Sequence, residues 1–503
     1  MFCTIIALLG GINQKQSIMQ SVNKSTGFKL SVMTLAIMNV TAVVSLRGLA
    51  TEAIYGIQSA FYYLFAAIVF LIPTAMVAAE LAAMFSGKQG GVFRWVGEAF
   101  GARFGFLAIW LQWIQSTIWY PTVLTFGAVS IAFIGFNPEA DAALASNRLF
   151  TLVVVLVIYW AATFISLKGI GWVGKVSKWG GIIGTIIPAA LLIILAVIYL
   201  ASGGVNNLNM KESFFPDLTN FDNLVLASSI FLFYAGMEMM GIHVMEVDNP
   251  KRNYPRAIII GSLVTVLIFI LGTFSLGVIV PAKEISLTQT LLIGFDNYFK
   301  YLHISWMGPI IAIALVFGVL AGVLTWVAGP SKGIFTVGRA GYLPPFFQKT
   351  NSQGVQRNIL LVQGGLVTLL SLLFVVMPSV QSFYQILSQL TILLYLIMYM
   401  LMFAAAIVLR YKMKDTPRPF RLGKGNALMW LLGVVGFAGS LLAFILSFIP
   451  PGQISTGSNA VWYSVLIVGC IVMVVIPFII YALRKPSWRD PSAEFAPFHW
   501  EKK

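Results

Sequence analysis

Long apolar runs separated by short polar connections make up most of the 503 residues. Each run is about 20 residues, the length at which a helix crosses the hydrocarbon core of a bilayer. About 12 of them are present, at 29–56, 58–85, 104–135, 148–167, 179–201, 224–246, 257–280, 307–330, 359–377, 383–409, 427–449 and 461–483. The pattern predicts an all-α polytopic membrane protein. Two runs are interrupted at mid-depth. The first reads "LAIMNVTAVVSLRGLATEAIYG", with Asn39, Thr41, Ser45, Arg47 and Gly48 inside it. The sixth reads "FYAGMEMMGIH", with Gly236, Glu238, Gly241 and His243. Paired interrupted helices in corresponding positions of two halves point to a transporter's binding site. Their separation is five spans, and an odd repeat length inverts the second copy. Residues 29–201 and 224–411 are therefore expected to be the two repeats of a transporter domain spanning 29–484, with 427–484 as two added helices.

Composition agrees. Hydrophobic residues are 59% of the chain and charged residues 10%, where a soluble protein carries about 25% charged. The net charge of +15 does not point to nucleic acid, because its distribution explains it. Alternate connections hold about 27 lysines and arginines against 4 in the others, the bias of the positive-inside rule. The basic connections are expected in the cytoplasm, together with the 1–28 segment and the 485–503 tail, in a cell (inner) membrane. Arg47 belongs to neither group. The opening "MFCTIIALLGG" lacks the basic n-region and cleavage pattern of a signal peptide, and Met19 is an alternative start. Cys3 and Cys470 form no disulfide framework or metal motif.

Several segments carry a resemblance: "FLIPTAMVAAELAAMFSGKQGGVFRWVGEAFG", the "FYAGME" stretch with the "DNPKRNYPRA" that follows it, and "VLTWVAGPSKGIFTVGRAGYLPPFFQKTNSQGV". They resemble the APC superfamily of amino-acid transporters, and within it the glutamate/GABA antiporter branch. The resemblance runs from about residue 28 to 484. It implies a LeuT-type fold of 5+5 inverted repeats plus two helices, an amino-acid substrate and alternating access. In such carriers the substrate carboxylate meets backbone N–H groups at the first break and the ammonium meets carbonyls at the sixth. Carried to this chain, that places the substrate at Asn39, Thr41 and Ala42, at Tyr234, Ala235 and Gly236, and at Tyr395 and Tyr399 of the tenth span. The physics behind it is general. A helix end leaves four backbone groups without partners, these are costly in hydrocarbon unless buried or wet, and the N-terminal end suits an anion while the C-terminal end suits a cation.

Three residues are candidates for gating or proton coupling. Glu238 either holds the loose backbone of the break or carries a proton, as an intramembrane carboxylate does by default. Arg47 either snorkels or pairs with Glu52, or draws in an anionic substrate. His243 is either a core histidine or a pH sensor. Tyr395 and Tyr399, four apart, share a helical face as packing or as path-lining hydroxyls. Gly322 departs from the antiporter branch, which carries an acid at what looks like this position. Trp326 reads as packing more readily than as part of the site, and Glu246, Asp248, Lys251 and Arg252 as a solvated helix end or an inside gate. The tail is shorter than the plug of the acid-resistance antiporters, and Trp488, Phe495, Phe498 and Trp500 suit docking on the body or the membrane interface. The three histidines are dispersed and there is no phosphate-binding loop, so neither an enzyme, a cofactor nor ATP drive is expected. Exchange of an amino acid for a related one or its decarboxylated amine leads, with proton-coupled symport as the alternative.

Overall fold

The computed structural model describes residues 31–86, 88–135, 137–209, 211, 213–216, 228–239, 248–450, 458–493 and 495–502. Sixteen helices order it: α1 Val32–Val43, α2 Arg47–Ala53, α3 Gln58–Met84, α4 Val92–Phe100, α5 Ala102–Ala132, α6 Pro138–Ala145, α7 Arg148–Leu167, α8 Trp172–Ala201, α9 Ser229–Tyr234, α10 Pro250–Ile279, α11 Thr290–Tyr301, α12 Met307–Val337, α13 Arg357–Val376, α14 Val380–Lys412, α15 Ala427–Leu446 and α16 Asn459–Ala482. No strand occurs among the described residues.

Among the described residues, nine helices are long and apolar enough to cross a membrane. The 31-residue α5, buried among the others, is long enough to be a tenth. The first and sixth spans are the remaining two, each in pieces. The amphipathic stretches after the second and seventh spans fold as the short α4 and α11.

The core forms around α5 and α14, which are buried along most of their length and pack on each other. Helix α12 packs along α5, and α10 along α1 and α2. Helices α15 and α16 close the edge, with many large apolar side chains facing outward, as lipid contact requires. Helix α8 crosses α12 at Gly184 and Gly318. A Cβ on Gly184 would stand 2.2 Å from the Gly318 nitrogen, so only two glycines permit this approach. Helices α3 and α8 each contain a π-turn, Ala67–Leu71 and Ile182–Ile186. Each lies just before a proline, Pro73 or Pro188, whose missing N–H removes a rung of the helical ladder.

One face gathers the basic connections and is held by buried charge. Glu80 of α3 pairs with Arg410 of α14 at 2.5 Å and with Arg418 at 3.2 Å, and accepts the Leu422 N–H at 2.7 Å. The tail docks on this face. Its Ala496 and Pro497 carbonyls accept from the Arg94 guanidinium, which also lies 4.7 Å from the rings of Phe495 and Phe498. Phe498 lies buried against Gly97. Asp490 pairs with Arg339, beyond the end of α12, at 2.7 Å. The aromatic residues of the tail thus pack on the protein body. Cys470 is a buried free thiol.

A candidate substrate site at two helix breaks

In the first span α1 ends at Val43 and α2 begins at Arg47, so Val44–Leu46 is the break. Asn39, Thr41 and Ala42 lie within α1, short of it. The polar residues of this span are spread over ten positions, and the pattern alone does not select which of them opens. At α2 the Gly48 and Leu49 N–H groups turn back to the Ser45 and Leu46 carbonyls at 3.2 Å, a tight 3₁₀-type start whose open end suits an anion.

In the sixth span α9 ends at Tyr234. Ala235 is extended, with ψ 151°, and Gly236 has φ 109°. L side chains rarely adopt that conformation. A Cβ on Gly236 would also stand 3.0 Å from the Trp326 ring, so the turn requires glycine on two counts. A single helical turn follows through Met239. The carbonyl end of α9 faces the break, which suits a cation. Gly241, His243 and Glu246 lie outside the described residues.

Glu238 does not stand free beside this break; it ties the break to α14 and α5. Its Oε1 accepts from the Tyr395 hydroxyl and from Gln112 Nε2, the latter at 3.1 Å. Its Oε2 accepts from Tyr399 at 2.5 Å. The Tyr399 oxygen in turn accepts the Gly236 N–H at 2.7 Å. A relay therefore runs from the unwound backbone through Tyr399 to the carboxylate. All three side-chain partners lie within hydrogen-bond distance of it, so both carboxyl oxygens are satisfied. Tyr395 and Tyr399 do share a face, and that face points at Glu238. The Tyr234 hydroxyl donates to the Tyr63 carbonyl at 3.2 Å.

Arg47 is 3% exposed, so it does not snorkel to water. It does not pair with Glu52 either, whose Oε1 instead takes the Ser229 hydroxyl at 2.5 Å. Among the described residues no carboxylate is within ion-pair distance of Arg47. Its guanidinium donates to Thr122 at 3.1 Å and sits 5.4–5.8 Å from the rings of Trp119, Phe233 and Tyr384. Trp119 lies 5.8 Å from Trp326, the ring over Gly236. The two indoles, tilted at 53°, run from the Arg47 cage to the sixth-span break, and Trp326 belongs to the wall of the site. Gln112, Trp119 and Thr122 are partners that the sequence reading missed. Two glutamines in the otherwise apolar "LQWIQSTIWY" of the third span were the available signal. A Cβ on Gly322 meets nothing within 4 Å, so the position has room for a side chain.

Comparison with known proteins decides the family. The model of the family described as "Amino acid permease" matches residues 30–476. The chain belongs to the amino acid permease family. It is 37% identical over 450 residues to an uncharacterized transporter of Legionella pneumophila, covering 90% of this chain and 96% of that protein. It is 32% identical over 476 residues to a glutamate/gamma-aminobutyrate antiporter of Lactococcus lactis, covering 93% of each. A "Probable agmatine/putrescine antiporter" of the same species is 25% identical over 422 residues, covering 82% of this chain and 87% of that protein. The chain is thus a multi-pass transporter of this family, all-helical in its described residues. The sixth-span break is joined through Tyr399 and Glu238 to its most buried helices.

Proposed function

We propose that this protein exchanges one amino acid for a related amino acid or its decarboxylated amine across the inner membrane, by alternating access. The relay from Gly236 through Tyr399 to Glu238 carries this reading. It holds an unwound segment open inside a buried helix, beside a second break of opposite polarity. Such a pair receives a zwitterion, with the carboxylate at the start of α2 and the ammonium at the end of α9. The antiporter names of two relatives support exchange. Residues 29–201 and 224–411 act as inverted repeats that rock about this site, with the basic face and both chain ends in the cytoplasm. Glu238 sets the geometry of the break, and a change in its protonation would alter the relay. Arg47, caged by rings from the third, sixth and tenth spans, belongs to the gate on the side away from the basic face.

The test is counterflow in proteoliposomes. Uptake of labelled amino acid should rise strongly when vesicles are preloaded with unlabelled substrate. Equal uptake into empty vesicles under an imposed proton gradient would replace exchange by proton symport. Glu238→Gln should flatten the pH dependence of uptake; an unchanged profile in a folded variant would leave Glu238 a purely structural role.

A further inference from the structure

An apolar groove of about 500 Å³ lies between α8 and α12. Trp172, Trp179 and Ile183 line one wall, and Ile310, Ile313 and Phe317 the other. All six are exposed, so the groove opens on the lipid-facing surface. It lies beside the crossing at which Gly184 meets Gly318.

One end of the groove is basic. Lys175 lines it directly. The ammonium groups of Lys168 and Lys175 both lie within 6 Å of the Trp172 ring, at 5.7 and 5.9 Å, and that of Lys178 lies 5.5 Å from Trp179. None of the three has an acidic partner within ion-pair distance among the described residues. Two cations sharing one indole repel each other unless an anion lies between them. Tryptophan and lysine at this level mark the headgroup region of a bilayer, and basic pockets between membrane helices take anionic headgroups.

We infer that this groove is a site for one anionic phospholipid. An acyl chain lies between α8 and α12, and the headgroup phosphate rests on Lys168, Lys175 and Lys178. The charge of the groove's end selects an anionic lipid over a zwitterionic one, and the bound chain braces α8 against α12 at their glycine crossing. The inference does not depend on the exchange reading, because it needs only that these helices lie in a membrane.

The test is native mass spectrometry of the delipidated full-length protein, titrated separately with phosphatidylglycerol and with phosphatidylcholine of matched chains. One phosphatidylglycerol should bind in preference to phosphatidylcholine. Each lysine contributes about fivefold, so the triple Lys168→Gln, Lys175→Gln, Lys178→Gln variant should lose roughly a hundredfold and approach the phosphatidylcholine affinity. The single Lys175→Gln variant serves if the triple variant elutes as aggregate. Ile313→Trp, which fills the groove, should weaken both lipids. Equal wild-type affinity for the two lipids, or unchanged phosphatidylglycerol binding in the lysine variants, would overturn the site. Displacement of the lipid by millimolar inorganic phosphate, or wild-type affinity in Ile313→Trp, would overturn the groove's part in it.

Discussion

Replacing Tyr399 with phenylalanine removes one oxygen and leaves the ring. The ring keeps its packing against Phe70 and Tyr395, so the loss is confined to hydrogen bonds. Two go at once. The buried Gly236 N–H loses its acceptor, which costs about 1–3 kcal/mol, and the buried Glu238 Oε2 loses its partner, which costs about 1–3 kcal/mol. Together that is about 2–6 kcal/mol at the point where the sixth span unwinds. Tyr395→Phe removes a donor to the same carboxylate but leaves Gly236 satisfied, so its cost should be roughly half. The prediction is therefore an order: Tyr399→Phe is more damaging than Tyr395→Phe. Thermal unfolding in detergent and the initial rate of counterflow measure it, with about tenfold in rate for each 1.4 kcal/mol that reaches the transport barrier. Glu238→Gln combined with Tyr399→Phe should cost less than the sum of the two, because both break the same bond. Equal losses for the two tyrosine variants, or strict additivity with Glu238→Gln, would refute the relay.

Three further outcomes follow from other charged side chains. Arg47→Met should leave unfolding within about 1 kcal/mol of the parent, since desolvation of an unpaired guanidinium and its contacts with three rings roughly offset, while uptake from the outer side falls. A loss of about 3–5 kcal/mol would instead reveal a broken ion pair. Glu80→Gln should destabilise the protein by about 3–5 kcal/mol in thermal unfolding, because Arg410 and Arg418 lose their carboxylate while buried; a neutral result would show that the carbonyls around Arg410 suffice. Hydrogen bonds from Ser492 and Arg339 hold the Asp490 carboxyl at about 2, below the ordinary 3.8. Its folded value is the depressed one, so its contribution to docking is full above about pH 4 and is lost as pH falls through about 2. Protease cleavage of the tail should therefore be as slow at pH 5 as at pH 7, and release at pH 5 would contradict this.

The spans were legible because lipid demands length and apolarity, both local properties. The sixth break was legible from Gly236, since glycine inside an apolar helix needs a reason. The first was legible only as a region. Asn39, Thr41, Ser45 and Gly48 are equally suggestive locally, and packing of α2 against α9 selects Val44–Leu46. The four-residue spacing of Tyr395 and Tyr399 gave their common face, but what that face meets depends on a carboxylate 157 residues away from Tyr395. Gln112 and the cage around Arg47 are likewise tertiary facts. For Arg47, both local readings, reaching water or pairing with Glu52, lost to aromatic surfaces supplied by three other spans.

The docked tail also bears on how the chain is made. Arg94 is wholly buried, yet two of its acceptors are carbonyls 402 and 403 residues further along. During synthesis the third span can enter the bilayer long before those acceptors leave the ribosome. Until then the Arg94 guanidinium has only Glu98, one turn on, to compensate it. A chain interrupted before residue 496 would keep all its spans and still present an unfinished face.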